Sequence, residues 1–184
     1  MLEDKDRWNK KYETAPMPSD PIKALRDFID TIPKASKALD IACGKGRHTH
    51  LLATQGIHVD AVDYSDVALE ALQKSDFINA VDEDLDSYCI EDRNYDLIVC
   101  VNYLSRRLFP MMKEGLKDDG ILIFETFMEC DHKDAHQPSN RDYLLRKNEL
   151  LHAFLGLNVL FYEEKELTNL RGEVVKTATL VAQK

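Results

Sequence analysis

The residues best suited to chemistry fall in one short run, Leu39-Asp-Ile-Ala-Cys-Gly-Lys-Gly-Arg47. Glycines after an apolar strand let a ligand approach the main chain, and the helix behind them offers unpaired N–H groups, so a small molecule is expected there. Two phosphate-binding patterns fit poorly. A dinucleotide fingerprint wants a third small residue where Thr49 stands, and a phosphate loop wants Lys-Ser/Thr where Arg47-His48 stands. Asp40, just before the glycines, would repel a pyrophosphate and tolerate an ammonium or sulfonium. Asp63 follows the glycine turn by about 20 residues, where a carboxylate can accept hydrogen bonds from both hydroxyls of a ribose. Asp84, or the Leu85 backbone beside it, is placed to receive the exocyclic amino group of an adenine. These residues favour a cationic nucleoside over a phosphorylated one.

Such residues need strand ends set side by side. From Lys37 onward, short apolar runs alternate with helix-length amphipathic stretches, which predicts an α/β fold with a parallel sheet. Strands are expected at 38–42, 57–62, 77–81, 95–101 and 121–127, with helices at 47–55, 66–74 and 106–116. Ser65 is a good N-cap, and Gly56 is placed to end the helix before it. The run 95–101 is apolar on both faces apart from Asp96, as an interior parallel strand should be. A helix at 146–155 precedes strands at 158–165 and 173–182, close enough in sequence for an antiparallel hairpin. Helical patterns at 4–13 and 21–31, separated by Pro16, Pro18 and Pro21, read as a lid over residues 1–32 of a single domain spanning 1–184.

Composition narrows the class. With 184 residues, 44% hydrophobic and 31% charged, the chain suits one soluble domain. A net charge of −9 disfavours a nucleic-acid partner. The charged amino terminus lacks the pattern of a signal peptide and no apolar run is long enough for a membrane span, so no membrane partner is expected. Cys43, Cys89, Cys100 and Cys130 are widely spaced without a Cys-x-x-Cys pair, which reads as reduced thiols and a cytoplasmic location.

Through Leu39–Gly46, Val62-Asp-Tyr-Ser65, Asp84-Leu-Asp86, Tyr95-Asp-Leu-Ile98 and the 116–127 segment, the chain resembles the class I S-adenosyl-L-methionine (SAM)-dependent methyltransferases. Asn102-Tyr-Leu-Ser-Arg106, Phe124-Glu-Thr-Phe127, Pro138-Ser-Asn140 and Tyr143-Leu-Leu-Arg146 narrow the resemblance to small bacterial enzymes similar to the tellurite-resistance methyltransferase TehB. Lys117-Asp-Asp-Gly120 stands where that family usually has Pro-Gly-Gly. The resemblance implies a Rossmann-like, mostly parallel seven-stranded sheet in the order 3-2-1-4-5-7-6, its last strand antiparallel. It also implies cofactor contacts from Asp40, Ala42, Gly44 and Gly46 to the methionine moiety, from Asp63 and Tyr64 at the ribose, and from Asp84 and Leu85 to the adenine. Val101, Asn102 and Tyr103 would lie beside the methionine amino group and methyl. Trp8 and Tyr12 match an amino-terminal aromatic helix that closes over the cofactor.

On the acceptor side, the candidates are Tyr103, Arg106, which could clamp an anion, and His132 and His136, which could act as bases. The two histidines flank Asp134, but that spacing is a weak metal signal and no metal is expected. The expected reaction is methyl transfer from SAM to a small acceptor by in-line displacement, in which the protein supplies alignment. A non-catalytic SAM-binding module is the alternative. A nicotinamide-dependent oxidoreductase is opposed by Asp40, by Thr49 and by the absence of a later catalytic domain. Nucleic-acid methylation is opposed by the acidic balance and by the lack of an Asn- or Asp-Pro-Pro-Tyr tetrapeptide.

Overall fold

The strand Lys37–Ile41 (β1) buries Ala38, Leu39 and Ile41 on its two faces, which requires neighbouring strands at its edges and helices above and below. The computed structural model, which describes residues 2–132, 135–169 and 172–184, supplies both. β1 pairs in parallel with His58–Asp63 (β2) and Tyr95–Val101 (β4); β2 pairs with Ile78–Asp82 (β3), and β4 with Leu116–Phe127 (β5). Asn158–Thr168 (β6) and Val174–Gln183 (β7) form an antiparallel hairpin, and β7 inserts beside β5. The sheet order is 3-2-1-4-5-7-6 with β7 antiparallel, as the resemblance implied.

Two apolar layers fix the sheet. On one face Leu39, Ile98 and Leu122 meet Leu108 and Met112 of Leu108–Gly115 (α5) and Leu150 of Glu149–Ala153 (α6). Phe109, Phe124 and Phe154 pack there with ring centroids 5.3–6.2 Å apart, within the range of favourable aromatic pairs. On the other face Ala38, Val99 and Ile123 meet Leu25 of Lys23–Phe28 (α2) and Leu52 of Arg47–Thr54 (α3). Leu2–Thr14 (α1) lies against Asp66–Glu70 (α4).

Several boundaries differ from the sequence expectation. α4 stops at Glu70 rather than Lys74, because the Gln73 N–H donates to His50 Nε2 at 3.1 Å instead of continuing the helix. β5 begins at Leu116, before the expected turn; an irregular register opposite Tyr95 and Leu97 absorbs residues 117–120, with Asp119 at φ 63°. α6 is shorter than expected, β6 extends to Thr168, and β7 is shifted by one residue. All four cysteines are free, and Cys89 is exposed.

Candidate active site

The strand–turn–helix at 37–54 builds the centre of the site. After β1 the chain reverses through Ala42 (φ 55°), Gly44 (56°) and Gly46 (81°), all left-handed, before α3 begins. Glycine enters that region without a steric cost, so the turn stays tight and open to a ligand. A Cβ on Gly44 would lie 2.7 Å from the Tyr12 hydroxyl, and one on Gly46 would collide with a Leu72 methyl.

Asp40 is only 1% exposed. Its Oδ2 accepts the Thr49 hydroxyl at 2.6 Å, while its Oδ1 has no hydrogen-bond partner. Burial raises the Asp40 carboxyl from its ordinary 3.8 to about 7, against the opposing pull of Thr49 and Arg47. An arriving cation or hydrogen-bond donor would favour its ionised form. His48, whose Nδ1 lies 4.0 Å from Asp40 Oδ1, is pushed down to about 3 by burial and by Arg47, and so stays neutral near pH 7.

Asp63 ends β2 and fastens the turn: Oδ2 accepts the Gly44 N–H at 2.8 Å and Oδ1 the Ser65 N–H at 2.9 Å. A carboxylate has about four lone-pair sites, so each oxygen keeps capacity for a ribose hydroxyl. Burial pushes the Asp63 pKa up, opposed by its backbone donors.

α1 closes over these groups. Lys5 bonds Asp82 at 2.8 Å, and Asn9 donates to Asp66 while accepting the Ser65 hydroxyl, both at 2.6 Å. Ser65 Oγ also accepts the Ala68 N–H, capping α4. Tyr12 is 8% exposed, with the Trp8 ring 6.0 Å away, and Lys5 lies over the Tyr64 ring at 5.3 Å. Burial, then the charges of Asp63, Cys43 and Asp40, keep the Tyr12 phenol protonated. The fold thus brings Tyr12, Asp40, Gly44 and Asp63 to one place, with Trp8 and Tyr64 at its flank.

Past β3, Asp84 Oδ1 accepts the Asp86 N–H at 3.0 Å and its carbonyl accepts those of Ser87 and Tyr88, a closed turn that buries Leu85. Arg107 donates to the carbonyls of Leu85 (2.9 Å) and Tyr88 (2.6 Å). Past β4, Asn102 (φ 58°) donates its N–H to the Glu125 carbonyl at 2.9 Å and turns the chain out of the sheet beside Val101. Tyr103 is half-buried, and burial raises its phenol pKa.

Arg106 is not a free anion clamp. Its guanidinium holds Glu149 at 2.5 and 3.0 Å and the carbonyls of Asp142 (2.7 Å) and Leu144 (2.9 Å), so its donors pin the chain after β5 to the exit of β4. His136 donates its N–H to the Val174 carbonyl, with Nδ1 3.5 Å from Glu173. His132 is exposed, and its carbonyl accepts the Ala135 N–H. Asp134 lies outside the described residues; among those described, no His, Cys, Asp and Glu cluster could hold a metal.

A sequence profile for a family described as tellurite resistance protein TehB matches residues 1–177. The chain belongs to the TehB family. The Haemophilus influenzae protein named "probable S-adenosyl-L-methionine-dependent methyltransferase TehB" is 28% identical over 97% of this chain, which spans 66% of that relative's length. The crystal structure of TehB from Haemophilus influenzae superposes with a TM-score of 0.74 at 26% identity, covering 98% of this chain and 66% of the other. A SAM-dependent methyltransferase from Methanosarcina mazei gives 0.66 at 17% identity, covering 90% and 98%. The architecture of this TehB-family chain is that of the class I methyltransferases.

Four further residues around the candidate site carry no motif signal in the sequence for the contacts they make. Thr49 stands in the sequence only as a departure from a fingerprint, yet its hydroxyl supports Asp40. Asn9 fastens α1 with no sequence signal at all. Arg47, half-buried at the start of α3, donates to the Asp20 carbonyl at 3.2 Å; burial lowers its pKa, while Glu125, Asp40, Tyr12 and Asp20 favour its charge. Glu125 hides in an apolar strand and accepts the Thr179 hydroxyl at 2.7 Å. Among the described residues, no helix is long and apolar enough to cross a membrane.

Proposed function

We propose that this chain is a methyltransferase using SAM as donor and a small molecule as acceptor. The observation that carries this reading is the buried Asp40 carboxylate beneath a glycine turn, with one oxygen unpartnered: such a site opposes a pyrophosphate and suits a cationic nucleoside. When bound, SAM supplies a methyl group on a sulfonium whose departure leaves a neutral thioether. The chain's own residues bind and orient. The backbone at Ala42, Gly44 and Gly46 with Asp40 would hold the methionine end, Asp63 the ribose beside Tyr64, and Asp84 with Leu85 the adenine. Val101, Asn102 and Tyr103 would border the transferring methyl.

An in-line displacement asks the protein for alignment and exclusion of water. Residues 1–32 act as the lid, through Trp8 and Tyr12, and the Arg106-pinned chain after β5 covers the acceptor side. An acceptor that is already anionic, or has a soft lone pair, needs no base; otherwise Tyr103, His132 and His136 are the candidates. The name of the Haemophilus relative supports the donor, the acidic charge supports a small acceptor over a nucleic acid, and the reduced thiols support a cytoplasmic setting.

Calorimetry with SAM, S-adenosylhomocysteine and NAD tests the donor; a panel of thiols, amines, phenols and chalcogen oxyanions tests the acceptor. SAM and its demethylated product should bind while NAD does not, and one acceptor class should drive release of S-adenosylhomocysteine. Binding of NAD without SAM would overturn the reading, and SAM binding without turnover across the panel would favour a binding module.

A further inference from the structure

α1 meets the site at two points, and both lead to Asp63. Asn9 and Tyr12 lie three residues apart on α1 and so share a face. The Tyr12 hydroxyl stands against Gly44, whose N–H donates to Asp63 Oδ2 at 2.8 Å. Asn9 bonds Ser65, whose N–H donates to Asp63 Oδ1 at 2.9 Å. The direction of this second path is fixed by chemistry. A hydrogen bond from Asn9 holds the Asp66 carboxyl below its ordinary pKa, so it is ionised near pH 7 and can only accept. The Asn9 amide must therefore turn Nδ2 toward Asp66, at 2.6 Å, and its oxygen toward Ser65. The Ser65 hydroxyl then gives its one proton to Asn9 Oδ1, at 2.6 Å, which leaves a lone pair for the Ala68 N–H at 3.1 Å. Ser65 is fully buried, where a lost partner is hard to replace.

Lys5, one helical turn before Asn9, ties α1 to Asp82 instead, with Asp66 3.9 Å away, a path that bypasses Ser65 and Gly44. Only Leu2, Trp8 and Tyr12 of the 13 residues of α1 are apolar, so polar ties matter to its closure. We propose that Asn9 and Ser65 are positioning residues that make closure of α1 respond to the cofactor's ribose. A diol on Asp63 steadies both carboxylate oxygens, and through Ser65 and Gly44 it steadies the two groups that α1 grips. A ligand moves such an equilibrium only by binding one state better, and the ribose hydroxyls supply that difference. The inference rests on the SAM reading and its ribose contact, and concerns the path from that contact to the lid.

The test compares S-adenosylhomocysteine with its 2′-deoxy analogue by calorimetry and by hydrogen exchange across residues 5–14, on the wild type, Asn9→Ala, Ser65→Ala and Lys5→Ala. The wild type should prefer the ribose form by about tenfold or more, and that form should protect α1 more at saturation. Asn9→Ala should shrink the preference by about threefold or more and make the two ligands protect α1 equally. Ser65→Ala should act in the same direction. Lys5→Ala should weaken both ligands together and keep their ratio within about twofold of wild type. An unchanged ratio in Asn9→Ala, or the same shrinkage in Lys5→Ala, would overturn the coupling and leave the SAM reading standing. Equal wild-type affinity for the two nucleosides would remove the ribose contact and the coupling with it, whereas no binding of either would overturn the SAM reading itself. Thermal melts verify folding; should Ser65→Ala, which also loses the α4 cap, not fold, Asn9→Ala decides the proposal.

Discussion

The Tyr12 hydroxyl lies 2.7 Å from the point where Gly44 would carry a Cβ, so α1 and the turn after β1 compete for one space. An alanine at 44 would also sit at φ 56°, a region costly for any residue with a side chain. Gly44→Ala should therefore destabilise the protein by about 1–3 kcal/mol and loosen α1. Urea unfolding gives the first quantity. Hydrogen exchange across residues 5–14 gives the second, and unchanged protection there would disprove the coupling.

Removing the Asp63 carboxylate strips acceptors from the Gly44 and Ser65 N–H groups and from the proposed ribose contact. Asp63→Ala should lose stability of about 1–3 kcal/mol and SAM affinity of similar size. Asp63→Asn, which keeps one acceptor oxygen, should recover part of both. Calorimetry showing full SAM affinity for the alanine variant would remove Asp63 from the cofactor contacts.

Arg106 and Arg107 are adjacent in sequence but hold different loops: Arg106 the chain at 142–149, Arg107 the turn at Leu85 and Tyr88. Arg107→Ala should weaken SAM binding several-fold. Arg106→Ala should leave SAM affinity near wild type and reduce turnover with whichever acceptor the panel identifies. Both side chains are partly in solvent, so losses in stability should stay near 1 kcal/mol. Identical binding profiles for the two variants would refute the division of labour.

The Asp40 carboxyl keeps its proton to about pH 7 in the folded chain, whereas the unfolded chain loses it near its ordinary value of 3.8. Between these limits the folded state binds more protons, so this group's contribution to stability falls as pH rises from about 4 to 7. His48 acts in the opposite sense, since its folded value near 3 lies below the ordinary 6.5 and its contribution falls as pH drops through that window. Asp40→Asn should remove the first effect alone. Its stability relative to wild type should climb between pH 4 and 7, by on the order of 1–3 kcal/mol, then level off. A difference that stays flat across this range in urea titrations would exclude the buried titration.

What the sequence reveals follows from the range of the interactions involved. β1, β4 and the core of β5 are mainly apolar runs, β2 alternates apolar residues with Asp60 and Asp63, and Asp40, Gly44 and Asp63 are legible because a strand followed by a turn fixes their spacing. The end of α4 is not legible locally, because the Gln73 N–H that would extend it goes to His50, 23 residues earlier than Gln73. The sequence offers Arg106 as a substrate clamp because its partner Glu149 lies 43 residues away. Glu125 stands in the Phe124-Glu-Thr-Phe127 motif, but its contact with Thr179 is invisible until β7 pairs with β5.

β7 follows every other strand in the chain yet sits inside the sheet, between β5 and β6. During synthesis β5 must therefore wait with a bare edge, and β6 with no strand to join, until the chain beyond Val174 has left the ribosome. A polypeptide interrupted just before that point would leave the edge of β5 bare and β6 wholly unpaired, the exposed templates that invite aggregation.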